Sequence, residues 1–252
     1  LRWIAAVMAP ALDAAIQASE PIDLVALVAE GLRRGDDCHN RLVATTANLL
    51  NLLAPTLVRE VPRDDAAETM SVIAGNGHFA LPFAITMAKA LALSAADVAG
   101  SPVVTAMSAN GREFGIRVSG TGDRWFTAPS PVGTPQLVPG LTLKDVNPTM
   151  GDSMIAETAG FGAFAMSAAP AIMSFVGGTA AQGVEIVEEM RSITAATSSR
   201  FLLPNEDHRG TPVGIDVHRI ARSGIAPVIN NGLAHREIGR GRAGSGITRV
   251  PI

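Results

Sequence analysis

Four polar stretches carry the residue types that hold anions and move protons. GDDCHNR (35–41) sets His39, Asn40 and Arg41 behind two acids, where one helical pattern stops and another begins. GNGHF (75–79) repeats the theme with Asn76 and His78. A helix start exposes unpaired backbone N–H groups and a partial positive charge, a natural seat for phosphate or carboxylate. His, Asn and Arg add donors of three shapes at that seat. The spacing leaves two readings open. Either Asp36 or Asp37 caps the second helix while its neighbours face solvent, or the two helix starts converge on one anion. His78 fits a hydrogen-bonded structural histidine equally well.

The third stretch is FGIRVSGTGDRWF (114–126). On a strand starting near Glu113, alternation puts Glu113, Arg117 and Ser119 on one face, with Ile116 and Val118 opposite. That face runs into a glycine turn with Asp123 and Arg124. It reads either as a binding surface or as a solvent-facing hairpin with a local ion pair. The fourth lies late in the chain: EDHRGTP (206–212), Asp216, His218 and NNGLAHRE (230–237), which ends in His235 and Arg236. A loop after a short apolar strand often holds catalytic groups; polar residues in water read the same way.

The elements that must position these groups fall into two blocks. Apolar spacing predicts helices at 2–18, 22–34, 38–53, 65–73 and 79–93, with Gly35 stopping the second and Pro55 the third. From Gly100 the pattern changes. Residues 103–107 and 113–119 read as strands joined at Asn110–Gly111, a strong hairpin signal. A Pro/Gly-rich loop covers 129–140, and helices are expected at 153–176 and 180–197. Short segments at 215–221 and 225–229 and a Gly-rich tail follow. The fold class is therefore α+β: an N-terminal helical domain over 1–98, then a mixed α/β domain over 99–252 with an antiparallel hairpin.

The 252 residues are 47% hydrophobic and 17% charged, with net charge −3, so a sizeable core forms and neither disorder nor nucleic-acid binding is indicated. Of 20 basic residues 18 are Arg, the residue suited to bidentate anion contacts. Cys38 is the lone cysteine, which excludes an intramolecular disulfide and fits a cytoplasmic setting. The uncharged run 158–184 is rich in Ala, Gly and Ser and carries Pro170, so it reads as a buried core helix and not a membrane span. Leu1 opens inside a helical pattern, as in a fragment of a longer protein. GRGRAG (239–244) matches a dinucleotide-binding pattern, but too few residues follow it for a βαβ unit. No G-x-S-x-G elbow occurs, and the histidines lack metal-ligand spacing, so neither a metal nor a cofactor is expected.

GDDCHNR, TAMSANGREFGIRVSGTGDRWFTAP, GDSMIAETAGFGAFAMSAAPAI, RGTPVGIDV and APVINNGLAHRE occur in that order. Together they resemble the YlbE-like family, which includes the AllG subunit of oxamate carbamoyltransferase. The resemblance spans nearly the whole chain but matches only the family's middle and C-terminal parts. It implies a carbamoyl transfer between phosphate and the amide nitrogen of oxamate. It also implies an oligomeric, multi-subunit enzyme with an FdrA-like partner subunit and a small anionic substrate. On that resemblance His39 or His235 would shuttle the proton. Arg117 and Arg124 would clamp anions, and Asn40 and Asn76 would donate to the carbamoyl oxygen. Arg41, His78, Ser119 and Arg236 would complete the binding set. The competing expectation is a non-catalytic scaffold that binds the FdrA-like subunit.

Overall fold

The computed structural model describes residues 1–251. The first block is helical: a π-helical turn Ile4–Met8 leads into α1 (Ala9–Gln17), then α2 (Leu24–Arg33), α3 (Val43–Glu60), α4 (Arg63–Gly75) and α5 (Leu81–Ser94). Asp23 caps α2 by accepting from the Ala26 N–H, and Gly35, at φ +93°, ends the turn after it. Leu49, Leu53 and Leu57 form the fully buried stripe of α3. That stripe carries the helix through Pro55, where a stop was expected. Pro55 and Asn51 both lie on the exposed face, so the carbonyl that loses its N–H partner lies on the water-facing side.

The strands all lie from residue 104 onward, and their pairing is antiparallel. Strands β1 (Val104–Asn110), β2 (Glu113–Val118), β3 (Trp125–Pro129) and the two-residue β5 (Met150–Gly151) form one sheet in the order β3-β2-β1-β5. Strands β4 (Thr134–Leu137), β8 (Val228–Ala234) and β9 (Arg242–Arg249) form a second, with β9 in the centre. Strands β6 (Thr194–Leu203) and β7 (Arg209–Ile215) make a separate hairpin. Around them lie α6 (Ile155–Thr158), a 3-10 segment Gly162–Ala168, α7 (Pro170–Phe175), α8 (Ala180–Ser192) and α9 (Val217–Ser223), capped by Asp216. The α+β class and the Asn110–Gly111 hairpin stand as expected.

Four expectations are corrected. The single helix at 153–176 is broken into short turns, because Gly160 and Gly162 adopt positive φ and Pro170 opens a new helix. The loop at 129–140 contains β4, and the Gly-rich tail is β9. The helix at 180–197 stops at Ser192, and the Ser/Thr-rich residues after it become β6.

Residues 154–169 are all buried, although the segment holds no long helix. It packs against α5, α8 and β8 in one hydrophobic cluster that extends from Ala11 to Val250. Among the described residues no helix is long and apolar enough to cross a membrane.

Candidate functional site

The site starts from two acids. Asp36 and Asp37 are both fully buried. The Asp37 Oδ1 accepts the backbone N–H groups of His39 (3.1 Å), Asn40 (2.9 Å) and Arg41 (2.8 Å), winding 37–41 into a tight loop. Cys38 in that loop takes φ +59°, a strained conformation for a residue with a side chain. Asp36 reaches past the loop to the N–H groups of Ala44 (3.2 Å) and Thr45 (2.7 Å) and to the Thr45 hydroxyl (2.8 Å). An acid does cap the third helix, as one reading held, but from several residues away. The helix therefore begins at Val43 and not at residue 38.

The loop aims His39 and Asn40 into the core, with 4% and 7% of their surface exposed. His39 Nδ1 lies 2.9 Å from Glu157 Oε1, and Nε2 lies 2.9 Å from Ser153 Oγ. Glu157 Oε1 also accepts the Asn230 N–H (3.0 Å) and, at longer range, that of Ala163 (3.4 Å). The neutral tautomer consistent with these contacts carries its proton on Nδ1 and accepts the Ser153 hydroxyl at Nε2. The Glu157 Oε2 is buried without a hydrogen-bond partner among the described residues. Gly162 makes room for the pair. At φ +59°, a Cβ there would come within 2.2 Å of Glu157 Oε1 and 3.0 Å of His39 Nδ1.

A second chain of amides ties this pair to the surface. The Asn230 Nδ2 donates to Asp37 Oδ2 at 2.6 Å, and the Asn40 Nδ2 donates to Asn230 Oδ1 at 3.0 Å. Arg242 Nη2 donates to Asn40 Oδ1 at the limit of 3.5 Å, and also to the Ser245 hydroxyl. The Arg242 guanidinium lies 5.3 Å from the centre of the Phe175 ring, and burial pushes its pKa down. No carboxylate pairs with it among the described residues.

The electrostatics follow from burial. For Glu157 burial dominates and raises the carboxyl above its ordinary value, against the pull of His39 and the backbone donors. For His39 burial pushes the other way, but the Glu157 and Asp37 charges outweigh it and the net shift is upward. Both partners thus hold a proton more tightly than they would in water. Burial also raises Asp36, and it lifts the Cys38 thiol well above its ordinary value.

The predicted site residues divide into two sets. His39, Asn40 and His78 are gathered, His78 donating from Nε2 to the Asn40 carbonyl at 2.7 Å. Arg41 stays beside them, bonded to the Gly35 carbonyl and 3.7 Å from Asp36. Asn76 closes the turn before α5 by accepting the His78 N–H, and it is exposed. The rest are elsewhere. Arg117 pairs with Asp123 on the outer sheet, and Arg124 lies over the Phe126 ring. Ser119 is buried and ties β2 to the end of α5 through the Ala95 carbonyl (2.5 Å) and the Val98 N–H (3.1 Å). His235 accepts the Glu237 N–H at the end of β8, and exposed Arg236 donates from its backbone to Asp145.

The sequence reading missed Asp37 as an organiser, Ser153, Glu157, Asn230 and Arg242. Glu157 carried a signal: it is the sole charge between 153 and 184, in a segment otherwise fit for a core. Arg242 lay in GRGRAG, a motif set aside as a nucleotide site. Among the described residues no group of three or more His, Cys, Asp or Glu is placed to hold a metal ion.

Comparison with known proteins fits this architecture. The family model described as oxamate carbamoyltransferase subunit AllG matches residues 1–153. The oxamate carbamoyltransferase subunit AllG of Escherichia coli (strain K12) is 41% identical over all of this chain, which covers 61% of that protein. The uncharacterized protein YahG of the same organism is 37% identical, again over the whole chain and over 54% of its own length. A crystal structure of a conserved protein of unknown function from Enterococcus faecalis V583 superposes with a TM-score of 0.96 at 39% identity. That match covers 99% of this chain and 60% of the other. The chain thus spans between half and two-thirds of the length of the relatives it matches. With its model matched over more than half of these residues, the chain belongs to the oxamate carbamoyltransferase subunit AllG family.

Proposed function

We propose that this chain forms part of a carbamoyltransferase acting on carbamoyl phosphate and oxamate, or on a related small acid. The observation that carries the proposal is the buried network joining His39, Glu157, Asn230, Asp37 and Asn40, built from three segments far apart in sequence. A stretch of core could be apolar at lower cost, because a buried polar group costs free energy unless it is hydrogen-bonded, and Glu157 Oε2 has no partner among the described residues. Arg242, a guanidinium with no paired carboxylate among the described residues, lies at the outer end of the network and takes the anion-binding role expected of Arg117 and Arg124. Arg41 lies beside the same loop.

The chemistry asks for two things. Attack of the oxamate amide nitrogen on the carbamoyl carbon releases phosphate, and a proton must pass from that nitrogen to the departing oxygen. His39, held by Glu157, is the group suited to carry it. Negative charge gathers on the carbamoyl oxygen and then on phosphate, where Arg242 and the amide of Asn40 supply donors. One well-aimed donor is worth about 3 kcal/mol in such a transition state. In the complete enzyme an FdrA-like subunit would close the site.

The test is phosphate release from carbamoyl phosphate plus oxamate by the full-length protein with its partner subunits. His39→Gln should lower kcat by roughly a hundredfold or more. Arg242→Met should raise KM for the anionic substrates. A second reading, a scaffold that only binds the FdrA-like subunit, draws on the near-complete burial of His39 and Asn40. It predicts that folded His39→Gln turns over at the normal rate.

A further inference from the structure

Ser153 sits in the turn between β5 and α6, four residues before Glu157, so one helical turn separates the two side chains. His39 lies between them, contacting each at 2.9 Å through a different ring nitrogen. Exposure rises along this line. Glu157 is fully buried, the His39 side chain is 3% exposed, and Ser153 is part-exposed. The carboxylate end is fixed by the Asn230 N–H and the imidazole end by the Asp37 turn. No other partner of the Ser153 hydroxyl is recorded among the described residues. A hydroxyl on a base oriented by a buried acid is the general arrangement that activates a serine.

We propose that Ser153 is a nucleophile activated by His39 and Glu157, taking the carbamoyl group from carbamoyl phosphate before passing it on. For its donor this rests on the carbamoyl-transfer reading above. Ser153 Oγ bonds to the carbonyl carbon, and its proton passes to His39 Nε2. The carbon–oxygen bond to phosphate breaks, the electron pair leaves with phosphate, and His39 returns the proton to that oxygen. The acceptor amide nitrogen then attacks the carbamoyl-serine and gives a proton to His39, and Ser153 recovers it as the Oγ–carbon bond breaks. The charged groups facing His39 are Glu157 and Asp37, and both favour its protonated form. The free base therefore accumulates only at pH above the ordinary histidine value of 6.5.

The experiment uses the full-length protein with its partner subunits and two probes. Carbamoyl phosphate without acceptor, read by peptide mass spectrometry, should leave one carbamoyl group on Ser153. A fluorophosphonate should label the same residue. Cyanate from decomposing carbamoyl phosphate carbamoylates amines and also an activated serine, so cyanate alone, at the level that decomposition supplies, is the control: it should label Ser153 far more slowly, and equal labelling overturns the carbamoyl phosphate donor. Ser153→Ala should abolish both labels. Glu157→Gln should slow labelling by about tenfold or more and move its acid limb to lower pH. A serine that merely caps an imidazole predicts neither effect. Labelling by fluorophosphonate alone keeps the nucleophile and overturns the carbamoyl donor, and with it the function proposed above. Phosphate release at the wild-type rate by Ser153→Ala overturns the nucleophile and leaves that function standing. No label from either probe overturns the proposal.

Discussion

The network around Asp37 and the outer face of the β1–β3 sheet use similar side chains in opposite ways. Arg117 and Asp123 lie six residues apart, their ion pair spans one turn, and Asp123 is 98% exposed. Asp37 and Asn230 are 193 residues apart, and neither has exposed surface. Water surrounds Asp123 and can take its place beside Arg117 Nη2, which also donates to the Gly122 carbonyl, so the pair contributes little. Nothing replaces a lost partner in the second, so each group there commits its neighbours. A polar pattern close together in sequence tends to be satisfied locally and at the surface. A polar group carried into a core makes sense only with partners from other segments.

Asp37→Ala is the sharpest way to break this contrast. It strips three backbone N–H groups and the Asn230 amide of their acceptor. A loss of about 3–5 kcal/mol is expected in denaturant melts, the range for a buried network deprived of one charged member. A loss under about 1 kcal/mol would show that water enters the loop freely. Gly162→Ala comes next, at about 2–3 kcal/mol. It forces a side chain to positive φ and drives Cβ against Glu157 Oε1.

The pH dependence follows in size. His39 and Glu157 both have folded pKa values raised above their ordinary 6.5 and 4.5. Each binds its proton more tightly when folded, so each stabilises on the acid side, and that stability is lost as pH rises through the folded value. The melting temperature should fall as pH rises above the ordinary values, 4.5 for Glu157 and 6.5 for His39, and the slope should flatten in Glu157→Gln. An unchanged slope would mean that the pair does not titrate in this window. Cys38 gives a smaller signal: buried and held as the thiol, it should resist alkylation in the native protein and react only on unfolding. Asp123→Ala, on the contrasting face, should leave the melting midpoint unchanged, and a measurable shift would remove the distinction between the two regions.

Much of the scaffold was legible. Helical spacing located all five N-terminal helices within a few residues, apart from the start and end of α3. Asn110–Gly111 marked the first hairpin, and Gly35 the end of the second helix. The failures share a cause. Leu42 and not Asp37 precedes α3, because Asp37 is occupied by its own loop and Asp36 reaches forward to Thr45. The Ala-rich segment after Ser153 has helical propensity, but two positive-φ glycines and burial on every side favour short turns. Strand β9 was hidden because its glycines and serine look like a loop. Between β4 and β8, Gly244 lies so close to the Gln136 carbonyl that a Cβ there would sit 2.6 Å from it.

Sequence alone determined the class of the fold, the polar loop at 35–41 as a place of interest, and His39 and Asn40 within it. These depend on local periodicity, turn chemistry and residue type, which operate over a few positions. The tertiary structure alone decided which groups meet His39: Ser153 and Glu157 more than a hundred residues later, with Asn230 and Arg242 beyond them. Such encounters are set by how helices and sheets pack into one core, and no spacing along the chain encodes that geometry.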